Sequence, residues 1–347
     1  MKKILLGTTA VIALGTMTTE AFAADKMKLA LGGFMRQYVG ITNSDEVAAT
    51  TGSAARDKDI SQWTNSEVYF DGSTVLDSGI KVAAHIEMEA DGAVTTNIDR
   101  SYLTVSSDAM GAVMIGHGPH YANGGITRRP TASNMDWGDF ANWGGVATSG
   151  TASSAVFAQS AGLMDTLGGD SAKLKYTSPT FSGVTVGASY SAAETGNASN
   201  ARRVAGTQND GYSYGVKFSG DLSGAAVKAD LTRMNLGTTN TETTHAGLTV
   251  GMAGFTVGGG YSDVNDTATG SSARDGNIWE LGVAYKTGPY AVSASYMASE
   301  EKATAATAGD DKDKTWSVAA TYDMGAGVAL TAEYFNAKAN PEGTGTT

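Results

Sequence analysis

The chain has 347 residues, of which 45 are glycine and none is cysteine, and its formal net charge is −11. The excess of 35 acidic over 24 basic side chains, without any basic cluster, argues against a nucleic-acid partner. The absence of cysteine excludes disulfides and thiolate metal sites.

The N-terminus has the pattern of a secretory signal peptide. A basic start, MKK, precedes an apolar stretch at 4–14, and AFA at 21–23 has the spacing of a cleavage site. The apolar stretch is too short to span a bilayer, and no later segment supplies the ~20 apolar residues of a membrane helix. We predict a signal peptide at 1–23 that directs export, followed by one mature domain at 24–347.

Bulky residues alternate with small or polar residues along the mature chain. In WELGVAY, 279–285, every second residue is bulky, as in YAVSASY, 290–296, apart from Ala294, and the turn KTGP separates the two stretches. Such alternation is a strand signal, and it predicts about fifteen strands. In chain order they lie at about 26–38, 60–76, 80–89, 97–106, 112–116, 172–178, 184–191, 211–219, 225–235, 244–251, 255–262, 277–286, 290–299, 315–322 and 328–336.

Short turns and long loops alternate between the predicted strands. Turns such as AG and DMGAG join the strands at one end, and polar stretches such as SEEKATAATAGDDKDK join them at the other. This arrangement is typical of an antiparallel up-and-down meander. No helical period of any length is present, so a parallel α/β fold is not expected.

A transmembrane β-barrel accounts for strands with a single bulky face. Lipid covers the bulky face, the other face lines a wet lumen, and closure of the sheet satisfies the backbone hydrogen bonds. The alternative is a secreted sandwich or β-solenoid, which would leave one apolar face of many strands uncovered. The sequence therefore predicts an all-β transmembrane barrel whose small, inward-facing residues meet water.

The mature chain resembles the Gram-negative general diffusion porins, in particular the alphaproteobacterial type. The resemblance is carried by KLALGGFMRQYVG at 28–40, by the hairpin WTNSEVYFDGSTVLDSGIKVAAHIEMEAD at 63–91, and by GAVMIGHG at 111–118 before the longest connection. It implies homotrimers of sixteen-stranded barrels in the outer membrane, in contact with lipid and lipopolysaccharide. Each barrel would be a channel for passive diffusion of ions and small hydrophilic solutes, without enzymatic activity or a cofactor.

The connection at about 117 to 171 is the longest in the chain. A connection of this length is uncommon and is usually functional or disordered. The resemblance implies that this third loop folds into the barrel and narrows it, with Trp137, Phe140 and Trp143 as anchors on the inner wall. The alternative is a solvated surface loop with incidental charges. The charged loop residues predicted at the pore constriction are Arg128, Arg129, Asp136 and Asp139.

Alternation also assigns charged wall residues to the lumen. Arg36 has the opposite parity to Leu31 and Met35, so it is expected to point inward. The same argument applies on the next three predicted strands. A narrow throat of low dielectric magnifies the field of such charges. The wall residues predicted at the pore constriction are Arg36, Glu67, Lys81, Glu87 and Arg100.

The charge balance predicts a weak preference for cations. Without the signal peptide the net charge becomes about −12, because 22 basic residues then stand against 34 acidic ones. The carboxylates of the long loop also outnumber its two arginines. Two alternatives remain open: a substrate-specific outer-membrane channel, and a secreted or surface-attached structural protein, such as an adhesin, without a pore.

Motifs for catalysis or metal binding are not evident in the sequence. His117 and His120 are three positions apart without a neighbouring carboxylate, which makes a poor metal site, and we interpret this segment as a plain loop start. The sequence contains no nucleophile elbow, P-loop or H-E-x-x-H motif.

The C-terminal segment leads to a further expectation. Bacterial barrels of this kind have an even number of strands, since both termini lie on the periplasmic side. The fifteenth predicted strand runs outward, so NAKANPEGTGTT at 336–347 would begin an extracellular loop. The resemblance implies a sixteenth strand that ends in an aromatic residue. We therefore expect that this strand is missing, with a gap or a strained pairing between the strands near 28–38 and 328–336.

Overall fold

The computed structural model describes residues 27, 29–42, 59–91, 98–133, 135, 169–194, 209–237, 241–266, 275–301 and 311–340. The predicted signal peptide lies outside the described residues. So do Asp136, Asp139 and the aromatic residues that were predicted to anchor the long loop.

Fifteen antiparallel strands form one sheet, and each strand pairs with its neighbours in the sequence. They are β1 (Leu29–Thr42), β2 (Asp59–Val75), β3 (Lys81–Glu89), β4 (Ile98–Ser107), β5 (Gly111–His117), β6 (Ala172–Thr177), β7 (Val184–Ser191), β8 (Gly211–Leu222), β9 (Ala225–Leu236), β10 (Thr241–Met252), β11 (Phe255–Asp266), β12 (Gly276–Thr287), β13 (Tyr290–Glu301), β14 (Asp311–Gly325) and β15 (Val328–Asn340). The up-and-down, all-β prediction is confirmed. Within the described ranges, no helix is long and apolar enough to cross a membrane.

Every predicted strand is present, and several are longer than predicted at the end that meets a long loop. The first strand continues to Thr42, the eleventh to Asp266, and the fourteenth already begins at Asp311. On β14 the added residues 311–314 are all polar, and on β11 the added outward residues Asp263 and Asn265 are polar, so the apolar alternation stops there while the backbone pairing continues. Polar residues on both faces hide the period-2 signal without removing the ladder of hydrogen bonds, so sequence alternation underestimates strand length there. On β1 the alternation continues with Val39 and Ile41, and the predicted end at 38 was too early.

The outer face of the sheet is apolar and exposed. Leu31 and Met35 on β1 and Leu330 on β15 keep 75%, 77% and 67% of their surface exposed. Aromatic side chains form cross-strand pairs on the same face, as Tyr290 does with Tyr322 at 5.1 Å between ring centroids. Such a face suits contact with lipid, with aromatic rings toward the interfaces.

The first and last strands are the edges of the described sheet. There, β1 pairs with β2 and β15 with β14, and no pairing joins β1 to β15. We expected either a gap or a strained pairing between the first and fifteenth strands. Of these two, the described residues show the gap. The sixteenth strand itself stays a prediction.

Candidate functional site

The long connection between β5 and β6 enters the lumen, as predicted. In its described part, 118–133, backbone N–H groups donate to side chains on the inner face of successive strands. These bonds run from Tyr121 to Ser189 Oγ on β7 at 3.0 Å, from Ala122 to Ser213 Oγ on β8 at 3.1 Å, from Thr127 to Asp230 Oδ1 on β9 at 2.5 Å, from Arg129 to Glu280 Oε1 on β12 at 2.8 Å, and from Ala132 to Ser293 Oγ on β13 at 2.8 Å.

The loop continues to the last strand of the sheet. The hydroxyl of Thr321 on β14 donates to the carbonyl of Ala132 at 2.5 Å, and the hydroxyl of Ser133 donates to Glu333 on β15. This part of the loop therefore crosses the inner wall from β7 to β15 in strand order. Irregular backbone inside a barrel needs such partners, because its N–H and C=O groups have none in a helix or sheet.

Three lysines on the inner wall bind carbonyl groups of the loop. Lys173 Nζ donates to Gly118 O at 2.7 Å and Lys175 Nζ donates to Pro119 O at 3.1 Å, both from β6. Lys217 Nζ on β8 donates to Tyr121 O at 3.0 Å. These ammonium groups are thus used to hold the loop backbone.

Glycines on the inner wall let the loop approach closely. A Cβ atom at Gly247 on β10 would lie 2.1 Å from the carbonyl oxygen of Thr127, and one at Gly282 on β12 would lie 2.7 Å from that of Pro130. Distances this short are steric clashes with backbone atoms. The loop path therefore requires residues without a side chain at these two positions.

A buried histidine joins the start of the loop to the wall and to its exit. His120 Nδ1 lies 2.8 Å from Ser189 Oγ and its Nε2 lies 2.7 Å from Glu194 Oε1, while Ser171 donates to Glu194 Oε2 at 2.8 Å. Burial lowers the pKa of the His120 imidazole, and this effect outweighs the opposing effect of Glu194. Burial alone would raise the pKa of the Glu194 carboxyl, but the hydrogen bond with His120 and the charge of Lys173 lower it overall.

The two loop arginines share one carboxylate on the far wall. Arg128 Nε lies 3.5 Å from Glu280 Oε1, and Arg129 Nη1 lies 3.8 Å from Glu280 Oε2. Arg129 and Glu280 are 6% and 1% exposed. In this structure the pair therefore fixes the loop to β12 in a place that solvent barely reaches.

The inner face of β1 to β4 carries a network of larger charged residues. Arg100 on β4 lies 3.3 Å from Glu87 Oε1 on β3 and 3.2 Å from Asp170 Oδ1 at the exit of the loop. His85 bridges two carboxylates, with Nδ1 at 2.7 Å from Asp71 and Nε2 at 3.1 Å from Glu87. Apart from the buried Glu87, these side chains are partly exposed, so this wall borders open space.

Aromatic rings run across the same wall beside the charges. Phe34 on β1 and Tyr69 on β2 are 6.2 Å apart, Tyr69 and His85 are 5.6 Å apart, and His85 and Tyr102 are 4.9 Å apart, measured between ring centroids. The guanidinium carbon of Arg36 lies 4.1 Å above the centre of the Phe34 ring. Four adjacent strands thus present one continuous row of rings.

The structure brings some of the predicted constriction residues together and separates others. Glu67, Glu87 and Arg100 lie in one network on the β2–β4 wall, since Tyr69 links Glu67 to its neighbours. Arg36 shares their face on β1, and Lys81 lies at the far end of β3 beside the short turn. Arg128 and Arg129, on the loop, lie against Glu280 of β12 across the lumen. Asp136 and Asp139 lie outside the described residues.

Sequence reasoning missed the residues that hold the loop, chiefly Glu194, Asp230, His245 (whose Nε2 lies 3.1 Å from the carbonyl oxygen of Thr127) and Glu280. The signal that would have found the last three is the alternation already used for the wall. Glu280 stands between Trp279 and Leu281, which face outward, and it therefore points inward. Within the described residues, no group of three or more His, Asp or Glu is placed to hold a metal ion.

Comparison with known proteins gives a family match over most of the chain. A family model described as Gram-negative porin matches residues 8–340. A search of curated proteins finds no match.

Solved structures of low sequence identity share the fold. They include an anion-selective porin from Comamonas acidovorans, with a TM-score of 0.62 and 17% identity over 92% of this chain and 95% of that one. OmpT, an outer membrane protein of Vibrio cholerae in its trimer form, has a TM-score of 0.57 and 13% identity over 92% and 90%. A mutant of the Rh. blastica porin has a TM-score of 0.55 and 17% identity over 89% and 94%.

Proposed function

Because the chain belongs to the Gram-negative porin family, we propose that it forms a water-filled channel through the outer membrane for passive diffusion of ions and small hydrophilic solutes. The observation that supports this most is the unequal inner wall. A loop covers β7 to β15, whereas the β1–β4 wall keeps charged side chains partly exposed. Diffusion down a gradient needs no catalytic step and no cofactor, and the proposal includes neither.

The constriction would lie between the loop and the β1–β4 wall. On the wall side it would be formed by Arg36, Glu67, Glu87 and Arg100, with Lys81 nearer the periplasmic end. On the loop side we assign Asp136 and Asp139 to the aperture. In the chain they follow the segment that Arg128 and Arg129 fix to Glu280. Charges in a narrow throat act strongly on passing ions.

We expect a weak preference for cations. The β2–β4 wall carries the carboxylates Glu67, Asp71, Glu87 and Glu89 against the single arginine Arg100. Arg36, Lys81, Arg128 and Arg129 offset part of this charge, and Glu280, Asp136 and Asp139 add three carboxylates, so the acidic side chains remain in excess by two.

Membership of the porin family also supports a proposal for the location and the oligomeric state of the protein. We propose that residues 1–23 are removed on export and that the barrel sits in the outer membrane as a homotrimer, in contact with lipid and lipopolysaccharide. The trimer form of the structurally similar Vibrio cholerae protein supports the oligomer.

Planar lipid bilayers test the proposal directly. Purified protein should produce stepwise conductance increments in KCl, and a KCl gradient should give a reversal potential that favours potassium. Preparations without any increments would overturn the channel function, and a potential that favours chloride would overturn the cation preference.

A charge variant locates the selectivity. The double variant Asp136→Asn with Asp139→Asn should move the reversal potential toward chloride. The matched control Asp77→Asn with Glu300→Gln removes the same charge from a turn and from the outside of β13, and it should leave the potential unchanged. Equal shifts of the reversal potential in both double variants would mean that Asp136 and Asp139 do not lie at the constriction.

A further inference from the structure

Two glutamates face each other on the open wall, which is the β1–β4 side of the lumen that the described part of the loop does not cover. Glu67 on β2 is the direct partner of Glu89 on β3 in the antiparallel register, and both are partly exposed. Side chains in such positions have Cβ atoms about 5 Å apart, and like charges there destabilise the sheet. A pair of carboxylates in this position favours a cation between them.

Aromatic rings surround this glutamate pair. Phe34 is the direct partner of Glu67 on β1, and Tyr69 follows Glu67 on the same face of β2. The Tyr69 hydroxyl donates to the Glu67 carboxylate, which places the ring beside the charge. The rings of Phe34 and Tyr69 meet edge to face at 6.2 Å. The site therefore combines carboxylates with an apolar, π-electron-rich surface.

The neighbouring cations already have other partners. Arg100 contacts Glu87 and Asp170, and His85 contacts Asp71 and Glu87. Arg36 lies over the Phe34 ring at 4.1 Å, which shows that a ring of this row accepts a cation on its face. The charge of Glu67 and Glu89 is thus open to a cation from solution.

The geometry favours an organic cation over a metal ion. Calcium requires six to eight oxygen ligands around one point, and no acidic or histidine cluster of three or more in the described ranges is placed for that. An ammonium group needs only a few acceptors, and rings beside it attract both the charge and an apolar body.

We propose that the β1–β4 wall binds organic ammonium ions in transit, with the charged group between Glu67 and Glu89 and the apolar body against Tyr69 and Phe34. This inference rests on the proposed channel function and adds a solute class to it. Binding must be weak enough for release, as conduction through any channel requires. The row of rings from Phe34 to Tyr102 supplies further contacts along the wall.

Three probes with the same ring separate charge from aromatic contact. Phenethylammonium, 2-phenylethanol and phenylacetate are added to channels that conduct KCl. Phenethylammonium should reduce the current in a saturable manner, with a half-blocking concentration at least about tenfold lower than that of either other probe, equivalent to about 1.4 kcal/mol. Equal block by the alcohol, or no saturable block by the ammonium ion, would overturn the proposal.

Matched variants test each half of the site. Glu67→Gln with Glu89→Gln should raise the half-blocking concentration about tenfold, whereas Asp77→Asn with Glu300→Gln removes the same charge elsewhere and should not change it. Tyr69→Leu should weaken the block, whereas Tyr69→Phe keeps the ring and should retain it. Block that survives the glutamate change, or that is equal in the two Tyr69 variants, contradicts the assigned site.

Failure of the channel function and failure of the solute class give different results. Absence of KCl conductance in the unmodified protein defeats the channel function itself. Normal KCl conductance without selective block by phenethylammonium defeats only the solute class. Since the comparison of the three probes uses the unmodified chain, it does not depend on the folding of any variant.

Discussion

The inner faces of β7–β14 and of β1–β4 belong to one sheet but carry different residues. On the β7–β14 wall, which the loop covers and which is therefore the covered wall, serine, threonine and glycine predominate where the loop lies, as at Ser189, Ser213 and Gly247. On the second wall, long charged and aromatic side chains such as Arg100 and Tyr69 contact one another. Residue size on the inner face is therefore set by the backbone that lies against it.

The two walls also differ in the energetic weight of their polar contacts. On the covered wall Glu280 and Ser189 are buried, as is His120 of the loop that lies against it, so each must find a partner or remain desolvated without compensation. On the open wall, water and salt screen most of the charges, and pairs there contribute little to stability. Substitutions on the covered wall should therefore affect stability, and those on the open wall should affect transport.

The largest effect is expected at Glu280. The change Glu280→Gln leaves Arg128 and Arg129 beside a neutral group in a buried place, and loss of one partner of a buried ion pair typically costs about 3–5 kcal/mol. Guanidinium unfolding of protein refolded into lipid vesicles measures this loss. The control Glu300→Gln breaks an exposed pair with Lys312 at 3.5 Å and should change stability by less than about 1 kcal/mol. Similar losses in both variants would mean that the loop is not held at Glu280.

A smaller loss is expected where the loop touches glycine. The valine in Gly247→Val would collide with the backbone of Thr127, and we expect a destabilisation of about 1–3 kcal/mol in the same unfolding measurement. Gly251→Val is the matched control on the same strand and face, where an added Cβ meets the Thr256 hydroxyl oxygen at 3.2 Å and lies away from the loop. A larger loss at Gly251 than at Gly247 would contradict the described loop path.

Acidification should weaken the contact at His120. The pKa of His120 is lowered in the folded state from its ordinary value of 6.5, so its contribution is complete above that value and is lost as pH falls below it. The lowered pKa of Glu194 adds a further loss below about pH 4.5. We therefore expect the unfolding free energy to fall between pH 7 and pH 5 at this site.

The variant His120→Gln removes this titration and should flatten the pH dependence in that range. An unchanged slope in the His120 variant would show that other groups cause the acid sensitivity.

The smallest change in stability is expected at Arg100 on the open wall. Its side chain is 37% exposed and its buried partner Glu87 keeps His85 at 3.1 Å, so Arg100→Gln should cost only about 1 kcal/mol. It should nevertheless shift the KCl reversal potential toward potassium, because a cation leaves the lumen. Arg233→Gln removes the same charge from the outward face of β9 and should leave the potential unchanged. Matching shifts in the two variants would place Arg100 outside the ion path.

Alternation of residues predicted the sheet well because each strand has one lipid face. The inward parity of Arg36, Glu87 and Arg100 followed from the same period, since every second side chain must leave the apolar face. The start of β14 at Asp311 was harder to predict, because polar residues occupy both faces over 311–314. The alternation of apolar and polar residues thus reflects a difference in environment between the two faces of a strand, and it is lost where both faces contact water.

The path of the loop along the inner wall could not be predicted from the sequence, for a different reason. The small inward residues were attributed to water, but on β7–β14 many of them contact the loop, as Ser213 and Gly247 do. A serine that meets water and a serine that binds a backbone N–H are identical in sequence. Pairings such as Arg129 with Glu280 join positions 151 residues apart, which no local pattern encodes.

The order of the loop contacts has a consequence for biogenesis. Their separation along the chain increases from 68 residues for Tyr121 with Ser189 to 103 for Thr127 with Asp230 and 200 for Ser133 with Glu333. Contacts between residues that are distant in the chain form more slowly than local ones. We therefore expect the contact of Tyr121 with Ser189 to form before that of Ser133 with Glu333. Until β15 has joined the sheet, Glu333 is not in place to accept the hydrogen bond that holds the end of this loop segment.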